Sequence, residues 1–318
     1  MSTPLADQFT RARSQIDNDF FNQGIAAQPA SPPPLPQVGP QQRRNGETHY
    51  PRQMANHEDL ALLRTARDLR QHVLLGGPPG CGKTASVEAA FDSLFDPATS
   101  PGLQTLIGTA ETTVGDLLGT YLPDRTPGAA PGTFTFVYGP LTIAVAYGLP
   151  LLIDEITLID PGILSALYAV MDGRPHLLLP GTDIAPVPVQ PGFCVFATYN
   201  PDAPGSILSE ALASRFAHHW QVGTDWDLAL ELGVPPEIVQ VARNLDGQRL
   251  DRNNGLLASP QLRDLLIFRD QVPQFGVEYA AGTLAAKAAP ENQDQILEAI
   301  QMIYPMASIT RLGGRYGR

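Results

Sequence analysis

The chain has 318 residues, of which 43% are hydrophobic and 17% charged, with a formal net charge of −11. That length suits a full hydrophobic core plus a smaller second unit, the composition excludes a wholly disordered chain, and the acidic balance argues against direct binding to a nucleic-acid backbone. Two cysteines, Cys81 and Cys194, without CxxC spacing, suggest neither a disulfide framework nor a zinc site.

The N-terminus is polar, and the apolar run from Leu141 to Ile153 is broken by Gly148 and Pro150, so a cytoplasmic protein with no membrane partner is expected. Six of the 31 prolines fall between Pro29 and Pro40, a composition that favours polyproline II and buries no core. Residues 1–45 are therefore expected to form a disordered tail. From 46 to 222, short apolar runs at His72–Leu75, Leu103–Ile107, Leu151–Ile153 and Phe193–Thr198 alternate with helical patterns. This pattern predicts an α/β core with a parallel sheet. Beyond Val222 the spacing turns helical over 236–245, 260–271 and 292–304, which predicts a small all-α lid over 223–318.

The first chemical element follows the first strand. Gly77, Pro78, Pro79, Gly80, Cys81, Gly82, Lys83 and Thr84 fit G-x-x-x-x-G-K-[ST], with a helix opening at Ala85. Glycines let backbone N–H groups wrap phosphates, the Lys83 ammonium meets the β and γ oxygens, and the Thr84 hydroxyl can ligate Mg2+. Lysine is scarce here, with only Lys83 and Lys287 among 21 basic residues, which sharpens the match. Cys81 could be oxidised within this loop, whereas Cys194 reads as a small core residue.

The run Leu151-Leu-Ile-Asp154-Glu155 is a strand ending in two carboxylates. Beside a phosphate loop, Asp154 fits a magnesium residue and Glu155 one that polarises water; alone, they could equally cap the next element. The helix after them is marked by Asp160 as N-cap, Pro161 and the stop Gly173, with Ile163, Leu167, Val170 and Met171 as its apolar face. Asn200 ends the strand from Phe193 and reaches the same sheet edge if the two strands are neighbours, although Asn before Pro is also an ordinary turn former. Arg215 closes Ser209-Glu-Ala-Leu-Ala-Ser-Arg215-Phe216, either as a surface charge or as a cation for phosphoryl charge in a neighbouring subunit. His218 and His219 fall in an expected strand and suit packing or exposure better than ligation.

With these elements in this order, the chain resembles an AAA+ ATPase of the MoxR and dynein-related branch. Gly76–Thr84, Gly108–Gly119, Gly139–Leu141, Leu151–Ile156, Ala197–Pro201 and Ala211–Phe216 carry the likeness, which spans about 46 to 318. The resemblance implies ATP and Mg2+ as cofactors, Lys83 and Thr84 as the Walker A pair, and Asp154 and Glu155 as Walker B. It implies Asn200 as first sensor and Arg215 as a finger acting on the next subunit. Tyr121–Val137 and Arg174–Pro191 would be the two hairpin inserts of the branch, which meet partners or line a ring pore. Relatives place a second-sensor arginine directly after a Ser-Pro or Ser-Thr pair. Here Ser259-Pro260 is followed by Gln261, with Arg263 two residues on, so the role falls to one or the other. The function implied is a self-assembling ring, expected as a hexamer, that couples ATP hydrolysis to remodelling a partner, with a von Willebrand factor A-type protein as the first candidate. The alternatives are a motor subunit of a nucleic-acid-directed defence system, sometimes using GTP, and a nucleotide-gated scaffold with little turnover.

Overall fold

The computed structural model describes residues 35–309 apart from 129, 204, 207, 251–255 and 257. Most of the expected tail, residues 1–34, lies outside the described residues. Its C-terminal part does not behave as a tail, because the compact unit begins at Gln37. Val38 and Gly39 donate their amides to the Glu58 carboxylate, Gln41–Gln42 pairs with Thr48–His49, and Arg43 forms an ion pair with Glu88. Proline-rich composition concealed these long-range partners.

Five parallel strands form the central sheet: β1 (Val73–Gly76), β2 (Gln104–Ile107), β5 (Pro150–Asp154), β6 (Cys194–Tyr199) and β7 (His218–Gln221). Between β2 and β5 the chain makes the antiparallel hairpin of β3 (Gly119–Pro123) and β4 (Phe134–Tyr138). The sheet order is β7-β1-β6-β5-β2. Three central strands are apolar up to their C-terminal ends because both their faces are covered. Leu74, Leu151, Ile153, Val195 and Ala197 pack against α4 (Pro140–Tyr147) and α5 (Pro161–Met171). The alternate residues Val73, Leu75, Leu152, Cys194 and Phe196 pack against α1 (Asp59–Asp68) and α2 (Lys83–Phe91).

Helix α5 begins as its sequence predicts, with the Asp160 carboxylate accepting from the Gly162 amide at 2.6 Å and Pro161 in the first turn. Its most buried residues are Leu164, Leu167 and Val170, so the buried stripe runs through Leu164 rather than Ile163. Between β3 and β2 lies α3 (Val114–Leu118), and α6 (Glu210–Ala213) precedes β7.

Past β7 the chain is helical: α7 (Trp226–Glu231), α8 (Pro236–Leu250), α9 (Leu262–Phe275), α10 (Val277–Ala286) and α11 (Pro290–Gln301). These helices share an apolar cluster of their own, centred on Ile238, Leu245, Phe268, Leu284 and Ile300. The parallel αβα core and helical C-terminal region match the architecture expected from the sequence. Among the described residues no helix is long and apolar enough to cross a membrane.

Candidate active site

The loop between β1 and α2 is shaped by glycine. A side chain on Gly77 would stand 2.1 Å from the Val222 carbonyl oxygen, and Gly80 and Gly82 take φ of +86° and +96°, a region that other L-residues occupy at a cost. Lys83 is 5% exposed. Its ammonium is held inside the loop by the carbonyls of Gly77 at 2.8 Å and Pro78 at 3.0 Å. Helix α2 opens at Lys83, so its unpaired amides and positive dipole end face the loop, where phosphate charge is favoured.

Register carries the second half of the site. Ile153 on β5 pairs with Ala197 on β6, so Asp154 and Thr198 are neighbours at the C-terminal edge of the sheet. The hydroxyls of Thr84, at 2.8 Å, and of Thr198 both donate to Asp154 Oδ1. Thr198 also accepts the Glu155 amide at 3.1 Å. Glu155 has φ of +53°, a left-handed conformation that costs a non-glycine residue about 1–2 kcal/mol. That turn is braced: the Glu155 carbonyl accepts from Leu158 at 3.0 Å, and the Gly108 amide donates to the Asp154 carbonyl at 2.7 Å. Gly108 fits only as glycine, because its Cβ would lie 2.5 Å from the Glu155 carbonyl oxygen.

A cavity of about 880 Å3 opens here, lined by Pro79 to Ala85, Asp154 and Glu155 on the core side and by Arg263 and Leu266 on the lid side. His49, Tyr50 and Arg52 close its third wall. The residues fit a nucleotide with Mg2+. The cation would be held by the Thr84 hydroxyl and the Asp154 carboxylate, both hard oxygen donors, with phosphates and water completing the shell. Among the described residues no group of three or more His, Cys, Asp or Glu gathers as an all-protein metal cage, and magnesium beside phosphates does not need one.

The lid separates the two candidate second sensors. Gln261 is 2% exposed and caps α9. Its amide nitrogen donates to Ser259 Oγ at 2.8 Å and Asp246 Oδ1 at 3.2 Å, and its side-chain oxygen accepts from Thr224. It is fully engaged in holding the lid together. Arg263 lines the cavity, its amide donates to the Gly80 carbonyl at 3.3 Å, and its Cβ lies 3.2 Å from where a Gly80 Cβ would be.

Two sequence candidates lie elsewhere. Asn200 accepts the Asp202 amide at 3.1 Å in a local Asx-type turn and is not among the cavity-lining residues. The residue in contact with Asp154 is Thr198 instead, two positions earlier. Its polarity at the end of an apolar strand is the sequence signal for this place, whereas Asn200 lies just past the strand, which ends at Tyr199. Arg215 also lies off this cavity. Its guanidinium makes two 2.8 Å bonds to the Asp172 carboxylate and stacks over the Tyr168 ring at 4.1 Å. The hydrogen bond from Arg215 lowers the Asp172 pKa, and the same bond raises that of Arg215. Cys81 and Cys194 are both buried free thiols; burial pushes the Cys194 pKa up to about 12, which leaves it a packing residue.

Residues 72–216 match the family model of the AAA domain, dynein-related subfamily. The chain is 28% identical over 176 residues to midasin of Giardia intestinalis, covering 54% of this chain and 3% of that protein. It is 32% identical over 150 residues to an uncharacterized protein of Staphylococcus aureus, covering 47% of this chain and 54% of that one. The chain thus spans about half the length of the staphylococcal relative and a small fraction of midasin. A solved structure from Cytophaga hutchinsonii aligns over 76% of this chain and 79% of that one, with 19% identity and a TM-score of 0.42.

Proposed function

We propose that this chain is a Mg2+-dependent ATPase of the AAA+ class. The observation that carries the reading is the convergence on one Asp154 oxygen of the phosphate-loop Thr84 and the neighbouring-strand Thr198, within a cavity that also holds Lys83, Glu155 and Arg263. Bound Mg2+ neutralises developing phosphoryl charge. In the protein, Lys83 binds the phosphates, Asp154 and Thr84 orient the metal side, Glu155 takes up a proton from the attacking water, and Arg263 approaches from the lid. The match of residues 72–216 to the AAA domain model supports this assignment.

The wider role is proposed from the order of the motifs and the branch they resemble. The chain assembles with copies of itself into a ring of the MoxR type, a hexamer, in which Arg215 serves the adjacent cavity. Hydrolysis there drives remodelling of a partner protein, with one carrying a von Willebrand factor A-type domain the first to test. The packing of α9 against the phosphate loop through Arg263 favours turnover over a passive scaffold, since a hydrolytic cycle needs a lid in touch with the nucleotide.

Steady-state hydrolysis tests the core claim. Glu155→Gln should retain ATP binding and lose turnover by about 10²–10⁴-fold, the usual contribution of a general base. Wild-type turnover in that variant would reduce Glu155 to a turn residue.

A further inference from the structure

Arg52 bridges the phosphate loop, helix α2, helix α1 and the chain after β7. Nη1 donates to the Cys81 carbonyl in the phosphate loop at 2.9 Å and to the Gly223 carbonyl at 3.3 Å. Nη2 donates to Ser86 Oγ on α2 at 2.8 Å, and Nε lies 3.6 Å from Asp59 Oδ2 on α1. Gly223 sits between the end of β7 at Gln221 and the start of α7 at Trp226, so it belongs to the hinge from which the lid departs. One nitrogen of one side chain therefore spans the phosphate loop and the hinge.

The next hinge residue continues the connection. Thr224 donates to the Gln261 side chain, which caps α9, and α9 carries Arg263, whose amide returns to the loop at Gly80. Loop, hinge and lid helix form a closed hydrogen-bonded circuit with Arg52 at its first junction. Arg52 also lines two cavities: the one over the loop and a second of about 400 Å3 at the hinge, bordered by Met54, Leu63, Trp220, Trp226 and Arg243.

We propose that Arg52 is a positioning residue that couples occupancy of the phosphate loop to the hinge, so that filling the loop re-sets the lid and the Arg263 it carries. Energetic coupling of this kind needs a contiguous set of packed and hydrogen-bonded groups with two arrangements. The guanidinium fork suits the task because its donors are fixed in one plane, with Nη1 on the Cys81 and Gly223 carbonyls and Nη2 on Ser86, a spread that the point charge of an ammonium on a flexible stem does not reproduce. The inference rests on the ATPase reading in one respect: the molecule that fills the loop is a nucleotide.

The protein carries its own reporter. Its two tryptophans, Trp220 and Trp226, both border the hinge cavity, so tryptophan emission reads the hinge while calorimetry with ATP reads the loop. In the full-length wild type, Mg2+ and ATP should change the emission. In Arg52→Gln, ATP should still bind with near wild-type affinity, the emission change should be lost, and kcat should fall with KM little altered. Arg52→Lys should behave like Arg52→Gln in all three, and it decides the matter if Arg52→Gln fails to fold, because it keeps the cation beside Asp59.

Retention of the full emission change in Arg52→Gln would overturn the proposal. So would complete loss of ATP binding, which would make Arg52 a direct ligand residue, and so would full recovery in Arg52→Lys, which would reduce the effect to charge. Failure of the wild type to bind ATP in calorimetry would instead remove the ATPase reading. Binding by the wild type with no emission change would remove this inference alone.

Discussion

Asp154 shows how the fold itself orients a single carboxylate. Two hydroxyls donate to its Oδ1, one from the phosphate loop and one from the adjacent strand, and the same Thr198 oxygen fixes the amide of Glu155. Thr198 is fully buried, so no water replaces it if its hydroxyl is lost. Thr198→Val should therefore keep the strand packed and lower kcat by about 10–100-fold, the usual effect of removing a partner that orients a metal-side residue; unchanged turnover with saturating Mg2+ would confine Thr198 to packing. The lid residues divide along similar lines. Gln261→Ala strands the Thr224 donor and removes the Gln261 bonds to Ser259 and Asp246, which still hold each other, and should lower stability by about 1–3 kcal/mol in urea unfolding. Arg263→Ala should leave stability near wild type and slow hydrolysis by about 10²-fold, as expected when a donor to developing charge is removed. The opposite pair of outcomes would return the sensor role to Gln261.

At the scale of elements, His72 ties β1 to its neighbour. Its Nδ1 accepts the Val195 amide at 3.0 Å, which requires a neutral ring, and burial pulls its pKa from 6.5 down to about 4, only partly offset by a backbone hydrogen bond with Met171. The unfolded chain binds this proton at higher pH than the folded one, so the contribution is intact above pH 6.5 and is lost as pH falls through the window from 6.5 to about 4. A shift of that size corresponds to about 3 kcal/mol. Urea unfolding between pH 7 and 4.5 should show that loss, and His72→Gln should flatten the slope; an unchanged slope would assign it to other groups. The sequence made this sheet legible because its central strands are buried on both faces and read as apolar runs, each placed within a residue or two. It made the phosphate loop and the Asp154-Glu155 pair legible because their chemistry is contiguous. Arg52 was not legible because its role comes from contacts 29 and 171 residues away in sequence, and the role of Thr198 needs the register of β5 against β6 besides its own polarity. Among the helices, α9 runs past the expected end at 271 through the internal Pro273. Helix α10 is not marked in the sequence because its Ala-rich, Gly-containing segment lacks the apolar stripe and polar face of an amphipathic helix.

On the scale of the assembly, the question is what Arg215 serves. Its guanidinium is fixed on three sides, by the Asp172 carboxylate, the Tyr168 ring and the Ala211 carbonyl, at a surface that does not line its own chain's cavity. A cation held this firmly loses little rotamer freedom on meeting an anion, and any phosphoryl charge it stabilises must come from another copy of the chain. The ring proposed above supplies that copy, and complementation tests the geometry. Arg215→Ala chains keep Lys83 and Lys83→Ala chains keep Arg215; neither homogeneous assembly should hydrolyse ATP well, because every interface lacks one of the two. Mixed at equal amounts, they form some interfaces in which an intact Lys83 cavity faces an intact Arg215, and ATPase activity should reappear in proportion to those interfaces. Asp172→Ala should weaken activity less than Arg215→Ala, since it frees the guanidinium without removing it. Full activity of Arg215→Ala alone, or mixed assemblies as inactive as either parent, would leave Arg215 and Asp172 as an ion pair that joins α5 to the segment before β7 and nothing more.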